Sequence, residues 1–492
     1  MKNDDQFVTK SLSGAGALRW LDNNQKLAAL AVASILFLLL QIVAGITNFP
    51  FDSGGYWRLS AFGRVLESPI QIRGYFYPLL LWPARYLSDT FPELGYAPYR
   101  VISSIAYAYI LTNLLPAFYN SVFGGCLNFW RRLLVPVLVL ILFPGIILYP
   151  LSDFPAIALM LAAVVCTLRS AASGVTALKR YALLLLSGVF TYGAYNTRTI
   201  FIFPMILFVA AFAPVVYRDY GPRFKLYASA AFLMGMLVAS IPQIFFNYQH
   251  HGVWSPAVIT TINHKSLFAA QLLAGISVQR YETTIDESAP RHAVYYMDPS
   301  GEQLLAADKI DKASFDIDEY FALMLKHPLD FLGIFGRHLV NGLDVRDGDL
   351  YTEAQSPDRN VRAIFNFIVV FLGLAIILLG VAAAAPPFGG KDGERLFLVL
   401  VMTLPVLAII PGEIETRYFL AAHLSIYAAI AFSSDVMALQ KLMKRHWLAA
   451  TMIIGLSASL FFGVSMSTMA NVQYGHHRQA QDTPQELGAD AE

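Results

Sequence analysis

The chain has 492 residues, of which 56% are hydrophobic and only 14% are charged. That composition is too apolar for an ordinary soluble protein, and several apolar runs approach the roughly 20 residues that cross a bilayer as a helix. Because the net charge is only +1, nothing favours nucleic-acid binding, and the sequence indicates a polytopic membrane protein.

Apolar runs that could cross a membrane recur along the chain. A polar segment, residues 1–26, is followed by an apolar run that is longer than the core of a signal peptide and lacks a convincing small-residue cleavage site. We therefore expect this run to be retained as the first helix. The predicted fold class is all-α, with about eleven transmembrane helices near residues 27–46, 96–118, 133–149, 154–169, 181–196, 199–217, 226–246, 362–385, 396–410, 416–434 and 447–467.

Basic residues in the short loops set the predicted orientation. When the N-terminus is placed in the cytosol, these loops all fall on the cytosolic side, in agreement with the positive-inside rule. The residues concerned are Arg131, Arg132, Arg169, Lys179, Arg180, Arg218, Arg223, Lys225, Lys391, Arg395, Lys441, Lys444 and Arg445. Segments 47–95, 247–361 and 468–492 then lie outside, on the outer face of the inner or plasma membrane.

The same pattern divides the chain into parts. A membrane module of seven spans, 27–246, contains the first outer loop, and four further spans occupy 362–467. Between them lies a large outer loop domain, 247–361, and an outer polar tail follows at 468–492. Because both long loops alternate polar and aromatic residues, unlike low-complexity linkers, we expect them to be folded.

The first outer loop holds a single carboxylate, Asp52, between aromatic residues directly after the first span. An ionisable group near hydrocarbon is costly, which favours a functional role for Asp52 with Arg58 as the nearest counter-charge. The alternative is that Asp52 only caps a helix. The residues of this stretch leave both interpretations open.

Two further segments of this loop are predicted to lie at the membrane surface. Apolar residues at helical spacing over 56–66 indicate a helix lying flat in the interface. The following stretch, 71–83, is aromatic and broken by prolines, which is typical of a re-entrant or interfacial piece. We expect it to frame a groove for a lipid chain, with Tyr75 and Tyr77 as supporting residues.

The large outer loop domain is predicted to begin with a helix over 265–278. Residues 298–301 (DPSG) favour a type I turn in a small hairpin between 295–297 and 303–305. Helix is expected again from about residue 317. Pro328 then fits the first position of an amphipathic helix whose apolar face is expected to rest on the outer leaflet and comprises Leu332, Phe335, Leu339 and Leu343.

Two short outer connections carry charges that a simple turn does not need. Asp153 follows one span and precedes Pro155, which opens the next, so it is either a functional carboxylate or a helix cap. Arg198 lies between two spans, where outer-side arginines are uncommon, and it either binds an anion or extends to lipid headgroups.

A third connection, 411–418 (PGEIETRY), contains Glu415 and Arg417. These two side chains either neutralise each other or leave Arg417 to grip a phosphate with two parallel hydrogen bonds. His264 and Lys265 are weaker candidates. Walker, GxGxxG, HExxH and GxSxG patterns are absent from the sequence, so nucleotide-driven transport and the usual hydrolases find no support.

The arrangement resembles the GT-C class of integral-membrane glycosyltransferases, which includes protein O-mannosyltransferases and the bacterial aminoarabinose transferase of lipid A. The matching stretches are the acidic first outer loop (51–56), the LSDFP start of the fourth span (151–155), the NTRT link (196–199) and ETRYF (415–419). The order and spacing of these stretches carry the resemblance, which covers most of residues 27–435.

The resemblance implies that Asp52 is the catalytic acidic residue of the first loop and that Asp153 lies near the acceptor or a metal. The resemblance leaves open whether a divalent metal ion is bound, and its ligands would then be Asp52 and Asp153. Many members carry two adjacent acids where this chain has Asp52 and Ser53, which is a departure from the metal-binding pattern. Donors in the class are polyprenyl-phosphate sugars, and many of its enzymes invert the anomeric configuration.

The sequence-based hypothesis is therefore a transferase that moves a sugar from a polyprenyl-phosphate donor to a lipid, glycan or protein of the cell envelope. The phosphate would be held by Arg198, Arg417 and Arg58. A transporter or flippase of lipid-linked glycans is the second candidate, and a glycan polymerase or ligase is the third. Ionisable residues near the outer ends of the spans, instead of at mid-membrane depth, favour an enzyme over a transporter.

Overall fold

The computed structural model describes residues 24–61, 63, 64, 73–262, 265–352, 358–383, 391–433 and 436–475. Most of the described residues in each predicted span are helical. The helices up to residue 251 are α1 (Gln25–Ala44), α2 (Phe51–Leu59), α3 (Phe76–Thr90), α4 (Ala97–Tyr109), α5 (Leu115–Phe123), α6 (Phe129–Leu142), α7 (Gly145–Leu148), α8 (Asp153–Ala171), α9 (Ala177–Thr197), α10 (Ile202–Val216) and α11 (Pro222–His251).

The remaining described elements belong to the outer domain and the C-terminal helices. They are β1 (Thr261–Ile262), β2 (Lys265–Ser266), α12 (Leu267–Ser277), β3 (Val278–Thr284), β4 (Ala293–Met297), α13 (Pro299–Ala307), α14 (Ile317–Lys326), α15 (Pro328–Gly342), β5 (Tyr351–Thr352), α16 (Asp358–Ala383), α17 (Lys391–Ile409), α18 (Leu420–Phe432), α19 (Val436–Met469) and β6 (Val472–Gly475).

Among the described residues, seven helical stretches are long and apolar enough to cross a membrane: Gln25–Ala44, Ala97–Phe123, Asp153–Ala171, Thr199–Val216, Pro222–His251, Asp358–Leu379 and Thr451–Met469. The other predicted spans lie on α6, α9, α17 and α18. The chain is thus a mostly helical membrane protein, and the number of eleven crossings stays a prediction.

The all-α prediction is incomplete because the outer domain contains a sheet. Its strand order is β5-β3-β4-β6, with β3–β4 and β4–β6 antiparallel and β3–β5 parallel. Strand β6 comes from the beginning of the tail and pairs Tyr474 with Val294. The start of the tail and the large outer loop domain therefore lie at the same end of the molecule.

One detail of the outer domain differs from the sequence-based expectation. The predicted hairpin around 298–301 is wrong, because the Asp298 carboxylate accepts hydrogen bonds from the Ser300 and Gly301 N–H groups and starts helix α13. Helix α15 does begin at Pro328. Its buried face is formed by Phe331, Ile334, His338 and Asn341, whereas Leu332 and Leu339 of the predicted leaflet-facing side are exposed, so their contact with the outer leaflet stays a prediction.

Close packing of α9 fixes the end of the helix bundle where Arg198 lies. Helix α9 packs between α8 and α11. A Cβ added to Gly188 would come within 2.0 Å of the Phe232 carbonyl oxygen, and one added to Gly235 would come within 2.0 Å of the Leu185 carbonyl oxygen. Small residues at such crossings let helices approach closely.

Candidate functional site

Asp52 lies in the first turn of α2 and contacts two arginines that are distant in sequence. Its Oδ1 atom pairs with Arg73 Nη2, and Arg417 Nη2 donates to its Oδ2 atom at 2.9 Å. Arg58 was predicted as the counter-charge, and that pairing is wrong because Arg58 lies six residues further along α2, about 240° around the helix, and is exposed. Asp52 is thus an ion-paired carboxylate, and this holds whether or not it also caps a helix.

The predicted interfacial helix over 56–66 is displaced, because helix α2 begins at Phe51, directly after Pro50, and ends at Leu59. Pro50 lies in an extended conformation that ends the preceding segment, and Phe51 has a φ of +44°, which residues other than glycine rarely adopt. Residues Tyr56 and Trp57 are buried, so α2 packs into the protein.

Arg73 is the residue of this site that sequence reasoning missed. Its guanidinium lies over the Tyr56 ring at 4.9 Å from the centroid, and Gly55 leaves the space for it, since an added Cβ would come within 2.7 Å of Arg73 Nη1. Burial opposes the charge, but Asp52 and Tyr56 outweigh it and raise the pKa of Arg73. A glycine at position 55 is compatible with this close approach but does not point to Arg73 in the sequence alone.

Asp153 and Arg198, predicted from separate connections, meet in the structure. Asp153 Oδ1 lies 2.6 Å from Arg198 Nη1, and the carboxylate is buried at the start of α8. Among the described residues, no donor is aligned for a hydrogen bond with either Asp153 oxygen. The Arg198 guanidinium lies over the Tyr418 ring, 4.4 Å from its centroid. The Asp153 carboxylate can therefore still accept a hydrogen bond from a substrate group.

Glu415, Arg417 and Tyr418 form the third part of the site. Arg417 Nε donates to Glu415 Oε2 at 2.5 Å, and the Tyr418 hydroxyl donates to Glu415 Oε1 at 2.6 Å. Mutual neutralisation of Glu415 and Arg417, one of the two interpretations of this stretch, is thus present. Arg417 also donates to Asp52 through Nη2, so its guanidinium pairs with two carboxylates, and its contact with a phosphate stays a prediction.

Arg417 and the Asp153–Arg198 pair border one small cavity that is partly open to the surroundings. Its polar end is formed by Asp153, Arg198, Arg417 and Tyr418. Its walls are apolar and come from α8, the 3₁₀ turn Thr199–Phe201 before α10, α17 and α18, namely Ile157, Ile200, Phe201, Pro405, Ile409 and Ala421. An arginine-lined end joined to apolar walls matches an anionic head group on an apolar chain.

The other predicted site residues lie elsewhere. Tyr75 is buried and its hydroxyl donates to the Ala239 carbonyl oxygen at 2.5 Å, and Tyr77 packs edge-on against the Tyr56 ring. Both are core residues here, so their contact with a lipid chain stays a prediction. His264 lies outside the described residues, and Lys265 belongs to strand β2.

The donor set does not fit a metal ion. Asp52 and Asp153 each lie against a guanidinium group, which competes with a cation for the same oxygens. Among the described residues, no group of three or more His, Cys, Asp and Glu side chains is close enough to bind a metal. The chemistry of this site is therefore derived from its carboxylates and arginines.

Fold and site together define a membrane protein with a charged site at one end of its helix bundle. Neither a protein-family model nor a curated protein matches the chain. Two solved structures of the Archaeoglobus fulgidus oligosaccharyltransferase do. One, AglB in complex with an inhibitory peptide and a dolichol-phosphate, is 15% identical, with a TM-score of 0.45 and 95% of this chain covered. The other, in the apo form, is 13% identical, with a TM-score of 0.48 and the same coverage.

The chain spans only 59% of the length of either oligosaccharyltransferase structure. Similarity at this level assigns neither an activity nor a substrate to the chain.

Proposed function

We propose that the protein is a GT-C-type membrane glycosyltransferase that moves a sugar from a polyprenyl-phosphate donor to a lipid, glycan or protein acceptor of the cell envelope. The observation that carries the proposal is Arg417, which pairs with Asp52 and also lines the cavity of Asp153 and Arg198. A carboxylate and guanidinium groups beside an apolar-walled cavity are the parts that such a transfer requires.

The balance of charge suggests how donor binding activates the site. Three arginines (Arg73, Arg198 and Arg417) face three carboxylates (Asp52, Asp153 and Glu415), so the site is neutral as it stands. An incoming phosphate must replace a carboxylate as the partner of at least one arginine. When the phosphate pairs with Arg417, Oδ2 of Asp52 loses its hydrogen bond from Arg417 and becomes a better proton acceptor.

The reaction follows from these roles. The oxygen of the acceptor hydroxyl forms a bond to the anomeric carbon of the sugar. At the same time, Oδ2 of Asp52 takes the proton of that hydroxyl. The bond between that carbon and the phosphate oxygen breaks, and the polyprenyl phosphate leaves with its negative charge held by Arg417 and Arg198. Back-side attack of this kind inverts the anomeric configuration, and we place the site on the outer face of the plasma or inner membrane.

A turnover assay tests the proposal. Purified protein in proteoliposomes receives a polyprenyl-phosphate donor with a labelled sugar and an envelope extract as acceptor, and we expect label in the acceptor together with released polyprenyl phosphate. A flippase would move the donor between leaflets without making a bond, whereas a polymerase would extend a glycan already on the donor. Translocation without any new bond would overturn the proposed transfer.

A further inference from the structure

The segment that carries Arg417 is held along its length by the outer domain. The Glu413 N–H donates to the Gln271 carbonyl oxygen at 3.1 Å, and the Tyr281 N–H donates to the Ile414 carbonyl oxygen at 2.7 Å. These contacts join the middle of α12 and strand β3 to residues 413 and 414. The outer sheet thus extends its hydrogen bonding to the residues directly before the candidate site.

A buried carboxylate of β3 makes the last of these contacts. Oε1 of Glu282 accepts hydrogen bonds from the Thr416 N–H at 3.1 Å and from the Thr416 hydroxyl at 2.5 Å. Arg280 Nε donates to the same oxygen at 2.9 Å, and Arg280 Nη2 donates to Asp347 at 2.7 Å and to the Thr416 hydroxyl at 2.5 Å. Arg280 is fully buried, so the Thr416 hydroxyl is held between two buried charged groups.

A gain in folding stability does not by itself explain this buried charged cluster. Replacing a buried ion pair by apolar residues is often neutral or stabilising, whereas buried charges can fix a specific geometry. Burial, only partly offset by Arg280, raises the pKa of Glu282 to about 7. Burying the Glu282 carboxylate therefore costs free energy. Outside the outer domain, this carboxylate bonds to Thr416, the residue between Glu415 and Arg417.

We infer that Glu282, held by Arg280, is a positioning residue that fixes Thr416 and so aims Arg417 at Asp52 and the cavity. The link runs from β3 through the Thr416 hydroxyl to the 3₁₀ turn Thr416–Phe419. The part of this inference that concerns the lipid-phosphate donor rests on the proposed function. The part that concerns the position of Arg417 does not.

Hydrogen–deuterium exchange tests the position without any ligand. Thr416→Val keeps the branched shape but removes the hydroxyl, and Thr416→Ser, the matched control, retains it. We expect faster exchange over residues 411–419 in Thr416→Val, by about tenfold for the two hydrogen bonds that the hydroxyl makes with Glu282 and Arg280, and wild-type exchange in Thr416→Ser. Thr416→Ala replaces the valine variant if that variant does not fold. Equal exchange in the variant that lacks the hydroxyl and in the control overturns the inference.

Binding of a sugar-free polyprenyl phosphate tests the consequence. We expect Thr416→Val to raise its Kd about fivefold in the wild-type background but to have no further effect in an Arg417→Ala background, since it acts through Arg417. Equal effects in both backgrounds would contradict the inference. If the wild-type protein does not bind the lipid, the proposed function fails, and the exchange result alone decides whether Glu282 positions residues 411–419.

Discussion

Asp52 reaches Arg417 across 365 positions of sequence, so the pairing depends on how α2 and the 3₁₀ turn Thr416–Phe419 are placed by the fold. An isolated carboxylate at a membrane surface is costly, and this one is paired through both oxygens. Two guanidinium groups therefore face Asp52 in the resting protein. The pairing also ties the proposed base to the proposed phosphate-binding residue, because both use the same contact.

The role of Asp52 is tested by Asp52→Asn, which keeps the shape and loses the proton acceptor. We expect sugar transfer to fall by roughly 10²–10⁴-fold, the usual contribution of a general base, while donor binding remains. The matched control is Asp89→Asn, because Asp89 pairs on an exposed helix surface with Arg85 only four residues away. An active, folded Asp52→Asn protein would assign the base to another carboxylate, with Asp153 the next to test.

Arg417 is tested by comparing lysine with alanine. Lys keeps the positive charge but loses the planar fork that contacts Asp52 and Glu415 together, so Arg417→Lys should retain more activity than Arg417→Ala without reaching wild type. Because the donor phosphate is charged before and during the reaction, Arg417→Ala should impair both donor binding and kcat. Arg218→Ala is the control, because Arg218 is exposed and pairs with its exposed neighbour Asp219. Equal activity of the lysine and alanine variants would show that Arg417 does not bind the donor phosphate.

At the scale of elements, the position of α2 decides which arginine meets Asp52. Sequence reasoning identified Asp52, Asp153, Arg198 and Arg417 because each is a charge next to an apolar span. It could not identify Arg73, since that contact depends on where α2 begins and on the space left by Gly55, neither of which a hydropathy pattern contains.

The space left by Gly55 gives the next prediction. In Gly55→Ala the new methyl group meets the end of a flexible side chain, Arg73 Nη1 at 2.7 Å, so we expect the protein to fold but Arg73 to move away from Asp52. Transfer should fall about tenfold or more at unchanged expression, the result of losing one charge-assisted hydrogen bond. Gly455→Ala is the control, because an added Cβ there meets nothing within 4 Å. Full activity of Gly55→Ala would show that Arg73 is not needed for transfer.

At the scale of the whole molecule, the long apolar helices were predictable and the outer sheet was not. Long apolar runs must form helices in lipid, so their positions follow from the sequence alone. The sheet joins three strands of the outer domain to β6, at residues 472–475, and such a long-range pairing leaves no local signal beyond short polar-aromatic stretches. Because β6 is part of that sheet, any test of the tail's location also tests the location of the outer domain.

Topology supplies the last prediction. With a membrane-impermeant maleimide on intact cells, Ser314→Cys in the outer domain and Gln473→Cys in β6, each exposed and each in a background without Cys126 and Cys166, should react. Native Cys126, which is exposed in a loop predicted to be cytosolic, should react in the wild-type protein only after the cells are opened. Since β6 pairs with β4, positions 314 and 473 must behave alike. Labelling of both only after opening would place the site on the cytosolic face, whereas opposite behaviour of the two would contradict the β4–β6 pairing itself.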